Sequence, residues 1–411
     1  MERGNNMKKN VFLTIMLINF LGFSLLLSNS YGAEVIKIGI VDTYSGPAAG
    51  FSQDVLDGFK IVVNEVNARG GINGRKIEFV TRDDRFKPDI ALAMAKELVL
   101  REDVDILMGT VNSSAGLAVS DFAKKEKVPF FCTNSRNERM TGEKGHRYVF
   151  GIAENTAMAG RAAAVVLAKK PYQKYYLAGD DYEYGHALTN NIWKHLKALK
   201  PSVQLVGEMW WKVGESDFTP HITKILAAKP DFLIAATSGA SIIGFTKAAK
   251  ATGLAAKIPF YQHTAIDPGI LQPIGMDAPE GMFATIPYLN YYPDTPENRA
   301  FVETFRKAYG RTPMVFAIFG YVAGRLVEKG YEKAGNFDKE KFISALEGMV
   351  LDSPVGKIEM RGCDHQLQLP MMFGKTKRDP KITDQLIASD IIIVPYKDYM
   401  PTCQQILQLR K

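Results

Sequence analysis

The chain has 411 residues, too many for one ordinary core, so two lobes are expected. Hydrophobic residues make up 46% and charged residues 23%, a folded composition. The formal net charge is +7, but acidic and basic residues are intermixed without a long basic block, which argues for a mildly basic soluble protein and against a nucleic-acid partner.

The chain opens on "MERGNNMKKN", then an apolar run from Val11 to Leu27, then the small-residue exit "SNSYGAE". Charge, apolar run and small residues in that order predict a secretory signal over residues 1–33. The run is also near membrane-span length, so an uncleaved anchor stays open. No cysteine sits at the exit, which argues against a lipid anchor. The mature chain is expected to begin near Ala33 or Glu34 and to be soluble outside the cytoplasm.

"VIKIGIVD" reads as a strand, and apolar residues at Val55, Phe59, Val62, Val63 and Val66 then follow helical spacing. Glycines in "ARGGINGRK" end that helix. "KIEFVTRD" (strand), "PDIALAMAKELVLRE" (helix), "DVDILMGT" (strand), Ser114 to Lys125 (helix) and "VPFFCTN" (strand) follow. Strand and helix alternate with short loops, the pattern of a doubly wound parallel sheet. The alternation restarts at "KYYLAGDD" and runs through helices at Tyr184–Leu199, Phe218–Ala228 and Ala240–Thr252 to the strand "KIPFYQH". Two more helical stretches, Asn298–Tyr309 and Ala317–Ala334, are expected to complete the two lobes.

In such sheets ligands bind beyond the carboxyl ends of the strands. That rule collects Thr43–Phe51, Thr110–Ser114 and Thr133–Asn137 in the first lobe, and Asp180–Tyr184, Thr237–Ser241 and His263–Asp267 in the second. The serines of "MGTVNSSAGLAVSDFA" stand where a strand hands over to a helix. There Ser113 and Ser114 suit both an N-cap and an anion seat. No phosphate loop, dinucleotide fingerprint or nucleophile elbow is present, so no enzyme and no cofactor are expected. The six histidines lack metal spacing and no Cys-x-x-Cys occurs, so no metal is expected. Asp83 and Asp84 point to opposite faces of a strand, which suits capping better than a catalytic pair. Cys363 and Cys403, both near the C-terminus, are the candidate disulfide, and Cys132 reads as a small buried residue.

The segments "IKIGIVDTYSGPAAGFSQDVLDGFKIVVNEVNARGGINGRKIEFVTRDD", "MGTVNSSAGLAVSDFAKKEKVPFF", "DDYEYGHAL", "DFTPHITKILAAKPDFLI" and "AAKATGL" resemble the extracytoplasmic solute-binding proteins of branched-chain amino acid ABC transporters (the Leu/Ile/Val-binding family). The resemblance implies the type I periplasmic-binding-protein fold: two doubly wound α/β lobes joined by three crossover segments, closing on a solute like a hinge. It divides the chain into lobe 1 (34–153 plus 285–361) and lobe 2 (154–284 plus 362–411). It implies a monomeric, periplasmic protein that meets transporter permease subunits. By position it assigns ligand contacts to Phe51, Ser113, Ser135 and Arg136 in the first lobe, and to Tyr184, Ser238 and Gly239 in the second; Ser114 joins them as the second serine at the helix start. Thr264 stands where amino-acid binders carry the acid that pairs with the substrate ammonium. A buried ammonium without an anion is costly, so this departure points to a carboxylate ligand without an obligatory amine. Asp181, Glu183 and Asp267 are the acids that could restore an amine seat. Arg136 could clamp the ligand carboxylate, with Phe51, Tyr182 and Tyr184 as walls, or could form a surface ion pair with Glu138. Amino-acid binding by the same hinge, or a sensor role, are the alternatives.

Overall fold

The computed structural model describes residues 34–46 and 48–411; the expected signal segment lies outside them. The first lobe begins β1 (Ile36–Asp42), α1 (Ala49–Ala68), β2 (Ile77–Asp83), α2 (Pro88–Leu100), β3 (Ile106–Gly109), α3 (Ser113–Glu126), β4 (Phe130–Cys132) and β5 (Val149–Gly151). These strands form one parallel sheet in the order β2-β1-β3-β4-β5. β3 and β4 are buried end to end, which is why they read as unbroken apolar runs rather than alternating ones. α1 turns Val55, Phe59, Val62, Val63 and Val66 into the core, as their spacing requires.

The chain then crosses to the second lobe: α4 (Thr156–Leu167), β6 (Lys174–Asp180), α5 (Glu183–Leu199), β7 (Gln204–Trp211), α6 (Thr219–Ala228), β8 (Phe232–Ala236), α7 (Ala240–Ala251), α8 (Leu254–Lys257), β9 (Phe260–Gln262), α9 (Pro268–Leu271) and β10 (Phe283–Ile286). It returns as α10 (Pro296–Tyr309), α11 (Val315–Ala334) and α12 (Lys339–Leu346), forms the small antiparallel sheet β11 (Met349–Ser353), β12 (Gly356–Met360) and β13 (Leu367–Gln368), and crosses a third time. β14 (Met371–Lys377), β15 (Ile387–Val394), α13 (Tyr396–Tyr399) and α14 (Cys403–Leu409) end it. The second sheet runs β15-β14-β10-β9-β8-β6-β7. Its β14 and β15 pair antiparallel, so this lobe is mixed at one edge and not wholly parallel as the alternation suggested.

α11 lies along α1 with almost no side chain between them. A Cβ on Gly58 would stand 2.0 Å from the Ala317 carbonyl oxygen, and one on Gly320 would stand 1.8 Å from that of Val55. The first and third crossings are joined at Gln366, whose Nε2 donates to the Gly151 (3.2 Å) and Ala153 (2.8 Å) carbonyls. Its Oε1 accepts from Thr141 (3.0 Å) and Asn155 (3.2 Å). Cys363 and Cys403 are joined in a disulfide that ties α14 to the third crossing.

Candidate functional site

The carboxyl ends of the two sheets face each other across a narrow cleft. Phe86, just past β2, meets Tyr182, just past β6, edge to face at 5.7 Å, so the lobes touch. Between them lies about 390 Å³ of empty space, counting the part open to solvent. Seven residues expected from position line it: Phe51, Ser113, Arg136, Tyr184, Ser238, Gly239 and Thr264. Ser114 and Ser135 stand outside the lining. The Ser135 side chain turns under α3, where a Cβ on Gly116 would lie 2.3 Å from its Oγ.

Each lining residue is held by a local device. α3 is capped by Asn112, whose Oδ1 accepts from the N–H groups of Ser114 (2.9 Å) and Ala115 (3.0 Å). This corrects the expectation that the serines cap the helix. An asparagine one residue earlier reaches the free N–H groups, and Ser113 is left facing the cavity. The turn of Ser238 and Gly239 is gripped by Asp180 at the end of β6. Its Oδ2 accepts from the Ser238 N–H (2.7 Å) and hydroxyl (2.9 Å), while Oδ1 accepts from Trp211 Nε1 (2.9 Å). Burial pushes the Asp180 carboxyl up to about 6, against the pull of these bonds. Thr264 sits at φ 61°, a conformation that strains a β-branched residue, with its N–H bound to the Thr285 carbonyl (3.1 Å).

Arg136 does not pair with Glu138. Its Nε donates to Glu154 Oε1 at 2.9 Å and its Nη1 to Asn134 Oδ1 at 2.8 Å. Glu138 instead accepts from Thr156 (2.9 Å) and Asn191. Glu154 also stands 3.2 Å from His263 Nε2, and His263 Nδ1 is 3.0 Å from the Tyr184 hydroxyl. Arg136, Glu154, His263 and Tyr184 thus form one buried chain whose ends, Arg136 and Tyr184, line the cavity. Burial alone would raise the Glu154 carboxyl, but Arg136 and His263 beside it hold it below the ordinary range. Burial pushes His263 down, against the pull of Glu154 beside it. Arg136 Nη2 is buried with no partner among the described residues, and Arg136 is the one charged side chain of the lining.

The walls are aromatic. Phe51 stacks on Phe316 with ring centroids 4.1 Å apart, and Tyr182 and Tyr184 stand 6.0 Å apart opposite them. A guanidinium with a free N–H among aromatic walls, between two lobes, has the build of a small-solute site.

The profile of the periplasmic binding protein family matches residues 35–381. The chain belongs to that family. This periplasmic binding protein is 26% identical over 360 residues to the leucine-, isoleucine-, valine-, threonine- and alanine-binding protein of Pseudomonas aeruginosa, covering 87% of this chain and 92% of the relative. A solute-binding protein of an R. palustris ABC transporter, in complex with 4-hydroxybenzoate, superposes with a TM-score of 0.78 at 25% identity, over 88% of this chain and 97% of that one. Another from R. palustris, in complex with benzoate, superposes with a TM-score of 0.78 at 24% identity, over 87% and 98%. The type I periplasmic-binding fold is therefore the fold of this chain.

Sequence position alone missed Phe316, Glu154 and His263 as parts of one site. Phe316 enters from α11, and nothing in "MVFAIFG" distinguishes it from core. His263 was collected by the strand-end rule but had no signal of its own. Glu154 follows β5, a three-residue strand too short to be read from periodicity.

Proposed function

We propose that this binding protein is the solute-binding subunit of an ABC-type uptake transporter, acting outside the cytoplasm, and that its solute is a small aromatic or short aliphatic acid. The observation that carries the ligand class is the free Nη2 of Arg136 among aromatic walls. Two of the three acids that could seat an ammonium, Asp181 and Asp267, are engaged elsewhere. Asp181 is exposed and pairs with His186 at 2.8 Å. Asp267 spends both oxygens on backbone N–H groups, and Glu154 lies behind Arg136. The benzoate and 4-hydroxybenzoate complexes of the R. palustris proteins agree in chemistry with this reading.

One observation favours amino-acid binding instead. Glu183 Oε2 is buried without a partner among the described residues, close to Ser113. The Pseudomonas aeruginosa relative is named for amino acids.

A thermal-shift screen of protein unfolded and refolded to strip carried ligand separates the two, because a ligand that binds only the native state raises Tm. Benzoate, hydroxybenzoates and short aliphatic acids are expected to shift it, and leucine, valine and alanine are not. A shift with the amino acids alone would replace the acid reading. Losing a charge-assisted hydrogen bond costs roughly 1.5–3 kcal/mol, so Arg136→Ala should weaken acid binding about tenfold or more. Because R136A strands Glu154, the paired variant R136M/E154Q is the control for folding. Unchanged acid affinity in both variants would overturn the clamp.

A further inference from the structure

We propose that Asp267 is a positioning residue that latches the lobes shut, by capping α11 of the first lobe with a carboxylate carried on the second. The proposal rests on the cleft-binding reading above for its effect on affinity, but not for its effect on closure. The segment bearing Asp267 leaves the second sheet at β9 and rejoins it at β10. α11 packs on α1 through Gly58 and Gly320, so it belongs to the first lobe. The contact therefore joins the lobes.

α11 has no side-chain cap of its own, since Met314 stands at its N-cap position. Two carboxylates from distant segments take its first N–H groups. Asp54 Oδ2, on α1, accepts from Ala317 at 2.7 Å. Asp267 Oδ2 accepts from Val315 at 2.6 Å, while its Oδ1 caps its own short helix through Gly269 at 2.7 Å. A helix N-terminus carries a partial positive charge, which stabilises both. The two acids differ in their other support. Asp54 also holds Arg311 at 2.5 Å, within its own lobe. Among the described residues no Lys, Arg or His lies within ion-pair distance of Asp267. Burial pushes the Asp267 carboxyl up to about 7, and outside its own loop the N-terminus of α11 is what stabilises its carboxylate form; that contact is lost when the lobes part.

The latch sits beside the ligand. Phe316 follows Val315 directly and lines the cavity, stacked on Phe51. Thr264 lines it from the opposite lobe, and its carbonyl accepts the Asp267 N–H at 2.9 Å. Closing the latch fixes one wall residue on each side without touching the solute. Asp267 thus acts on affinity through closure.

The test labels cysteines placed at exposed Lys87 and Lys212 with spin labels and measures the distance between lobes in ligand-free protein. D267A is expected to shift the distribution to longer distances, and D267N, which keeps an oxygen for Val315 and Gly269 but loses the charge, to lie between it and wild type. Benzoate is the probe for affinity. Its Kd should rise about tenfold in D267A, the size expected for a lost charge-assisted contact, with the change in koff and not in kon. Distances identical to wild type in D267A would overturn the latch, and a lower Tm with unmoved distances would leave Asp267 only a cap of its own loop. If benzoate fails to bind wild type, the acid reading falls, and the distances still decide the latch.

Discussion

Asp42 ends β1 with one carboxylate oxygen bonded to the Thr43 N–H (2.9 Å) and the Ser52 hydroxyl (2.8 Å). The other oxygen is buried without a partner among the described residues. Burial, and then Asp84 nearby, push this carboxyl from 3.8 up to about 7. Between those values the folded protein holds more protons than the unfolded chain. The group's contribution to stability therefore falls as pH rises from about 4 to about 7. Asp42→Asn should consequently compare worst with wild type at pH 5 and best at pH 8, read as the difference in Tm at each pH. A difference that does not move with pH would mean that Asp42 stays ionised throughout. At the same scale, Glu154→Gln frees Arg136 from its competing anion. It should strengthen acid binding while costing about 3–5 kcal/mol of stability, because it leaves a buried guanidinium without its counter-charge. Calorimetric Kd and a urea titration measure the two effects separately. Arg136 illustrates why residue roles resist reading from the chain. The sequence leaves it a ligand clamp or an ion pair with Glu138, two residues away, yet the guanidinium turns inward to Glu154. Nearness along the chain governs ion pairs only on regular elements, and this turn is not one.

At the scale of elements, the N-cap of α3 separates stability from binding. Asn112→Ala should cost about 1 kcal/mol in a urea titration, since its side chain satisfies two otherwise orphaned N–H groups. Ser113→Ala should leave stability nearly unchanged and weaken ligand binding. The reverse order would return the capping role to the serine. The α1–α11 contact makes a harsher prediction. Gly320→Ala places a methyl 1.8 Å from a backbone oxygen, where only a shift of the whole helix relieves the clash. Overpacking of this kind costs about 1–3 kcal/mol or more. The displaced α11 also carries Phe316, so both Tm and ligand affinity should fall. Gly310, whose added Cβ would meet nothing within 4 Å, is the comparison for packing, although its φ of 68° strains an alanine there. The helices and strands of these layers were legible because each carries its pattern within itself: a period of 3.6 in α1, and unbroken apolar runs in β3 and β4. β5, β10 and β14 were not, since three to seven residues entering an existing sheet are specified by their neighbours and not by their own pattern.

At the scale of the whole molecule, the C-terminus acts as a brace. The disulfide closes a separation of 40 residues, and Arg410 donates to the carbonyls of Gly142 (3.0 Å), Thr141 (2.8 Å) and Cys363 (3.2 Å). A closed loop of this length is worth roughly 3–4 kcal/mol in the chain-entropy account. Cys403→Ser should therefore lower Tm by several degrees, and reductant should reproduce the loss in wild type but add nothing to the variant. Read alone, the chain carried its α/β alternation, its two blocks and the strand ends where a ligand belongs. Those signals are local, set by side-chain period and by glycine and proline at the turns. Which carboxylate holds Arg136, and that α11 supplies both a cavity wall and the seat for Asp267, were decided only by the tertiary fold. These contacts join residues 18 to 263 positions apart, and no local pattern encodes a partner that folding alone brings near.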